Sequence, residues 1–246
     1  MQQRKRRERT DEMGYYTYWD HNKENGCIYC GRHATTREHV PSKTLLLEPY
    51  SDNLPTIPAC FECNNGFSED EEYFVCYLEI LKSNIYTGWE ISDRTKNILA
   101  QKPQLESLIY SQIKLIDGKV SFNIDRKRLL RIINKLATCH VGYEFDVVDF
   151  DGPIQTEFNF AFNLSTEYRE KFESPQVMTA IPEISSRFSC NFYVAENIET
   201  GEKILLNDWF EVQENRYKYH VYLNEQGGVS VKIVILDYLY CQVDFN

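Results

Sequence analysis

The sequence predicts an α+β protein: a metal-clamped ββα unit near its start, then a helical segment, then an antiparallel β-rich remainder. Three observations carry that expectation. Two C-x-x-C pairs, Cys27/Cys30 and Cys60/Cys63, bracket a stretch with strand character. Apolar residues recur at helical spacing after the second pair and again between Asp125 and Tyr143. From residue 154 onward the pattern becomes alternating and aromatic, in runs separated by turn signals.

The bulk numbers bound the possibilities. The chain has 246 residues, 42% of them hydrophobic, with 17 Tyr and 14 Phe, far too many for a solvated polymer and enough for a sizeable core. No stretch approaches 18 consecutive apolar residues, so no membrane-spanning helix is expected. The opening MQQRKRRERT is basic with no apolar segment behind it, so no secretory signal is expected and a cytoplasmic location is. The net charge of −10 argues mildly against coating nucleic acid through bulk charge. Charge is unevenly spread, however. RKRRER (4–9) and DRKRLLRIINK (125–135) are locally basic, and SEDEE (68–72) is acidic. The basic start, residues 1–20, reads equally as an arm reaching phosphates or as a solubilising end.

Cysteine spacing is the sharpest local signal. In a cytosolic chain two C-x-x-C pairs read as a tetrahedral four-cysteine zinc site rather than as disulfides. Zinc in such a knuckle supplies on the order of 10–16 kcal/mol of folding free energy. With four thiols present, His33 is not needed as a ligand. Cys76, Cys139, Cys190 and Cys241 read as small buried hydrophobes. The 29 residues between the pairs must fold on their own account. Thr35 and Thr36 start a strand that Pro41 ends, and LPTIPA (54–59) is a second, edge strand. Ser68 with Glu71 reads as a capping box, and Phe74, Tyr77, Leu78 and Leu81 continue as a helix.

Into this unit the sequence places Glu38-His39 at the first strand's end, Asn53 in the loop, and Asn64-Asn65 after the last knuckle cysteine. On C27-x-x-C30, E38-H39-V-P, N53-L and C60-x-x-C63-N64-N65 the chain resembles the HNH, or His-Me finger, endonucleases over about residues 25–82. The resemblance implies a zinc-clamped ββα nuclease core. His39 would be the general base that activates water, Glu38 and Asn64 the ligands of one catalytic Mg²⁺ or Mn²⁺, and Asn53 the brace of the loop bearing the base. Two departures stand out. The acidic ligand is more often Asp, and the family's last His is here Asn, with Asn65 beside it as an alternative ligand.

The chemistry matches those residue types. Phosphodiester hydrolysis needs an in-line nucleophile and neutralisation of the charge that grows on the phosphate. A neutral imidazole takes a proton from water at cellular pH, and a divalent ion held by few protein oxygens keeps positions open for phosphate. Arg32, Arg37 and Lys43 flank the site as phosphate contacts or as ordinary surface charges. Glu69 to Glu72 read as carboxylates favoured in a helix's first turn.

Beyond the core, Ile91 to Tyr110 is expected helical with a break at Pro103, and Phe122 to Ile124 is a short strand. Asp125 to about Tyr143 is the strongest helix of the second half. Its Arg126, Lys127, Arg128 and Arg131 fit a solvated amphipathic face better than a phosphate track, and His140 is structural. Six strand-like runs from residue 154, with turns at ENIETG (196–201) and NEQGG (224–228), predict an antiparallel sheet or small barrel for positioning substrate, sensing or binding a partner. The expected organisation is an arm at 1–20, the nuclease unit at 21–88, a mainly helical segment at 89–150 and a β-rich accessory domain at 151–246. The expected activity is cleavage of DNA, with RNA not excluded, in restriction or anti-phage defence. A single ββα site nicks one strand, so double-strand cutting implies a homodimer, and a targeting or activating protein partner is the other expectation. The rival is a non-catalytic zinc-knuckle scaffold.

Overall fold

The computed structural model describes residues 26–116, 119–145, 151–178 and 192–246, with the backbone alone of 16–17 and 147–148. The basic arm at 1–20 lies outside the described residues but for that backbone, as do Cys190 and the end of the run at 176–181. The chain is a mixed α and β protein with antiparallel sheets.

Strands β1 (Thr36–His39) and β2 (Thr56–Ala59) pair antiparallel, with His39 opposite Thr56 and Glu38 opposite Ile57. A short helix α1 (Phe61–Gly66) follows Cys60 directly and leads into the long α2 (Ser68–Ile85). Tyr73 to Leu81 of α2 are buried without interruption, so this helix is enclosed on all sides rather than amphipathic. Next come α3 (Asp93–Gln101), capped by the Ser92 hydroxyl, and α4 (Pro103–Gln112), with proline at its first position. The break expected at Pro103 is therefore present.

A hairpin of β3 (Ile113–Ile116) and β4 (Lys119–Phe122) precedes α5 (Arg126–Glu144), where the Asp125 side chain caps the amides of Lys127 and Arg128. Helix α5 crosses α2 and lies on a five-stranded antiparallel sheet. That sheet runs in the order β9 (Phe210–Gln213), β10 (Tyr217–Leu223), β11 (Val229–Ile235), β12 (Leu239–Phe245), β5 (Gln155–Phe160). Every residue of β11 is buried, because α5 covers one face and helix α6 (Thr166–Glu173) brings Phe172 onto the other. A separate three-stranded sheet joins β6 (Gln176–Val177), β8 (Lys203–Asn207) and β7 (Phe192–Glu196). One apolar cluster runs from Leu45 through α2, α4 and α5 to Phe245; of two small ones, one joins Cys27, Ala59 and Cys60 and the other joins Ile28, Val40 and Ile57 to Cys139 of α5.

Three expectations fail locally. Ser68 and Glu71 form no capping box: α2 is entered from Phe67, already in the helical region, and the Ser68 hydroxyl donates back to the Asn65 carbonyl. The preceding helix leaves α2 no free N-terminus to cap. The cap belongs to Cys60, whose sulfur accepts from the Cys63 amide at 3.4 Å. The run at 229–240 is not one strand but two, turned at Leu236 and Asp237 on left-handed backbone (φ 59° and 47°). The run at 203–212 also splits, its halves entering different sheets. Neither turn contains glycine or proline, and the weaker turn residues Asn207, Asp208 and Asp237 are the signal each left.

Candidate functional site

The knuckle is built from both ends of the ββ pair. Gly31 turns on left-handed backbone (φ 69°) and returns its amide to the Cys27 carbonyl at 2.8 Å, while the Ile28 amide bonds to the Pro58 carbonyl of β2 at 3.0 Å. Cys60 and Cys63 sit at the entry of α1. Together these place the sulfurs of Cys27, Cys30, Cys60 and Cys63 within 4.8 Å of one another, close enough to hold a structural metal such as zinc. The Arg32 guanidinium donates to Cys30 Sγ at 3.4 Å and reaches Cys60 Sγ at 3.9 Å. Its charge is opposite to that of a thiolate cluster. His33 is outside the group, as expected.

His39 ends β1 and is partly exposed. Burial and the neighbouring Lys43 ammonium lower its pKa from the ordinary histidine value, which keeps the ring neutral. A neutral ring is the state a general base needs. Asn64, on α1, donates its side-chain amide to Thr36 Oγ1 at 3.1 Å and to the Arg37 carbonyl at 3.4 Å. It thus ties helix to strand just before His39, with Oδ1 uncommitted by either bond. Arg37 is exposed on the same face as His39, and its guanidinium crosses the strand pair to Thr56 Oγ1 and the Thr56 carbonyl at 2.7 and 2.9 Å.

Two candidates sit differently from their expected roles. Successive strand residues face opposite ways, so Glu38 points inward while His39 points out. Glu38 is 4% exposed, and Lys135 of α5 lies 3.1 Å from its Oε2. The same ammonium pairs with Glu71 of α2. Burial raises the Glu38 pKa against the pull of Lys135, whereas Glu71 and Glu38 overcome burial to keep Lys135 protonated. The bracing expected of Asn53 is not formed: it lies exposed in a turn closed by the Leu54 amide on the Ser51 carbonyl, and its side chain makes no hydrogen bond among the described residues. Asn65 is exposed on the outer side of α1.

The charged runs at 68–72 and 125–135 bind each other. Arg128 and Arg131 both pair with Asp70, Arg128 at 2.5 Å, and each also reaches a backbone carbonyl at the entry of α2. Their spacing from Lys135, at i, i+3 and i+7, sets all three on one face of α5. Sequence reasoning missed Lys135, although that spacing opposite an acidic run was the available signal. No protein-family profile, curated protein or solved structure matches the chain.

Proposed function

We propose that this chain is an endonuclease of the HNH kind, hydrolysing phosphodiester bonds of DNA with His39 as general base and a structural zinc on Cys27, Cys30, Cys60 and Cys63. The observation that carries the reading is the placement of His39. A partly exposed, neutral imidazole ends a two-stranded sheet that one four-cysteine cluster and one Asn64 bridge hold against a helix. A strand end so constrained fixes the backbone from which the ring projects, a placement that general-base catalysis uses and a plain scaffold does not need.

In this reading His39 accepts the proton of the attacking water, and Lys43 beside it lends positive charge to the phosphate. A divalent ion, where bound, would stabilise the growing phosphate charge. The donors the resemblance names fit such an ion poorly, because Glu38 is buried and taken by Lys135, so no step is routed through one. That same ion pair favours a second reading, a non-catalytic scaffold for nucleic acid or protein built on the knuckle.

The test is nicking of supercoiled plasmid, beside single-stranded DNA and RNA, with Mg²⁺, Mn²⁺ and chelator arms. Nicking by the wild type that His39→Ala abolishes supports the nuclease. Binding without cleavage under every metal supports the scaffold.

A further inference from the structure

We propose that Lys135 is the resident cation of this site: its ammonium fills the place beside Glu38 that a divalent ion would take, and it locks the strand end carrying His39 to the two long helices. The inference deepens the nuclease reading, but its test measures metal binding rather than cleavage, so each can fail without the other.

The pocket behind β1 is closed and acidic. Glu38 enters it from β1, Glu71 from α2, and Tyr29 and Cys139, hydrogen-bonded to each other at 2.9 Å, close it from the knuckle and from α5. Two carboxylates so enclosed require a counter-charge. Lys135 supplies it from 3% exposure, with its Nζ also 5.2 Å from the centre of the Phe67 ring. A Mg²⁺ on Glu38 would lie about 2 Å from the carboxylate oxygen and keep several waters. On Oε2 it would meet the ammonium, which already lies 3.1 Å from that oxygen.

Lys135 is therefore a positioning residue. It touches neither His39 nor any reacting atom. Through one ammonium it joins β1, α2 and α5. Removing the ammonium while keeping both carboxylates converts the pocket into a pair of facing acids, which is a divalent-cation site in outline.

The experiment uses full-length, zinc-loaded protein in five forms: wild type, Glu38→Gln, Lys135→Met, Lys135→Met/Glu38→Gln and Lys135→Arg. Mn²⁺ is the probe, read by electron paramagnetic resonance and by the shift of the thermal midpoint. Wild type and Glu38→Gln are expected to bind Mn²⁺ equally within about twofold. Lys135→Met is expected to melt lower than wild type and to regain stability with Mn²⁺, an effect absent from the double variant. Lys135→Arg, which keeps the charge, should show no Mn²⁺ dependence. A loss of Mn²⁺ affinity of about tenfold or more in Glu38→Gln overturns the proposal, since Glu38 would then be a metal ligand in the wild type. A folded Lys135→Met indifferent to Mn²⁺ overturns it as well. Should Lys135→Met fail to fold, the comparison of wild type with Glu38→Gln decides alone.

Discussion

At the scale of single residues, burial decides what the ionisable groups can do. His39 is held neutral by partial burial and by Lys43, so its competence as a base persists below the ordinary histidine pKa. A pH–rate profile should therefore keep its plateau to lower pH than a free imidazole allows. Lys43→Ala removes the ammonium's contribution and should move the acidic limb of that profile upward. Glu79 presents the contrasting case of a fully buried ion pair. Its carboxylate meets Arg216 at 2.6 Å and accepts from the Ser92 amide and hydroxyl, while Arg216 Nε donates to the Leu45 carbonyl. Glu79→Ala leaves an uncompensated guanidinium in the core and should destabilise by about 3–5 kcal/mol in denaturant titration. A loss under about 1 kcal/mol would mean that water reaches Arg216.

Elements were legible in the sequence to the degree that their signals were local. The two cysteine pairs, the strand ended by Pro41, the proline break at 103 and the helix that opens after Asp125 each depend on a few adjacent residues, and each is present. Where the outcome depends on distant chain, the sequence was silent. Nothing near Glu38 says that Lys135, far along the chain, will take its carboxylate. The acidic first turn of α2 looked like a dipole effect and is instead the partner of α5's basic face. The hairpin turn at Leu236 and Asp237 carries no glycine, so alternation alone could not divide the run. If zinc occupies the cysteines, stripping it should unfold β1, β2 and α1 first, because the small clusters around Ile28 and Ala59 contain few apolar residues. The sheet of β9 to β12 with β5 should outlast them. Hydrogen exchange read by mass spectrometry would show protection lost at 26–66 before 217–245. Simultaneous loss across both stretches would contradict this ordering.

For the whole molecule the same burial sets the response to acid. His140, sealed between Tyr217 and Tyr219, and His220, enclosed beside Trp209 and Tyr222, are both pushed by burial down to about 3. Their folded pKa lies below the unfolded value, so between those values the unfolded chain binds protons that the folded chain does not. Stability must then fall as pH drops from about 6.5 toward about 3, by about 1.4 kcal/mol per pH unit for each ring. His220→Phe removes one of these contributions and should reduce the slope by about 1.4 kcal/mol per pH unit between those values. His220 suits this test because neither of its ring nitrogens has a hydrogen-bond partner to lose among the described residues. No helix among the described residues is long and apolar enough to cross a membrane, and the apolar cluster extends from the long helix behind the knuckle through to the last strand. A tight coupling of the knuckle to the large sheet runs through α5, which carries Lys135 and Cys139 toward β1 and His140 and Glu144 toward β10.

The most direct measurement of the central claim is plasmid nicking by the zinc-loaded protein beside His39→Ala, with folding and zinc content checked in both. The expected result is nicking by the wild type and a fall of about 10²-fold or more in the variant, the scale of a lost general base. Equal cleavage by two folded proteins, or none from either with every metal and every nucleic acid tried, would contradict it.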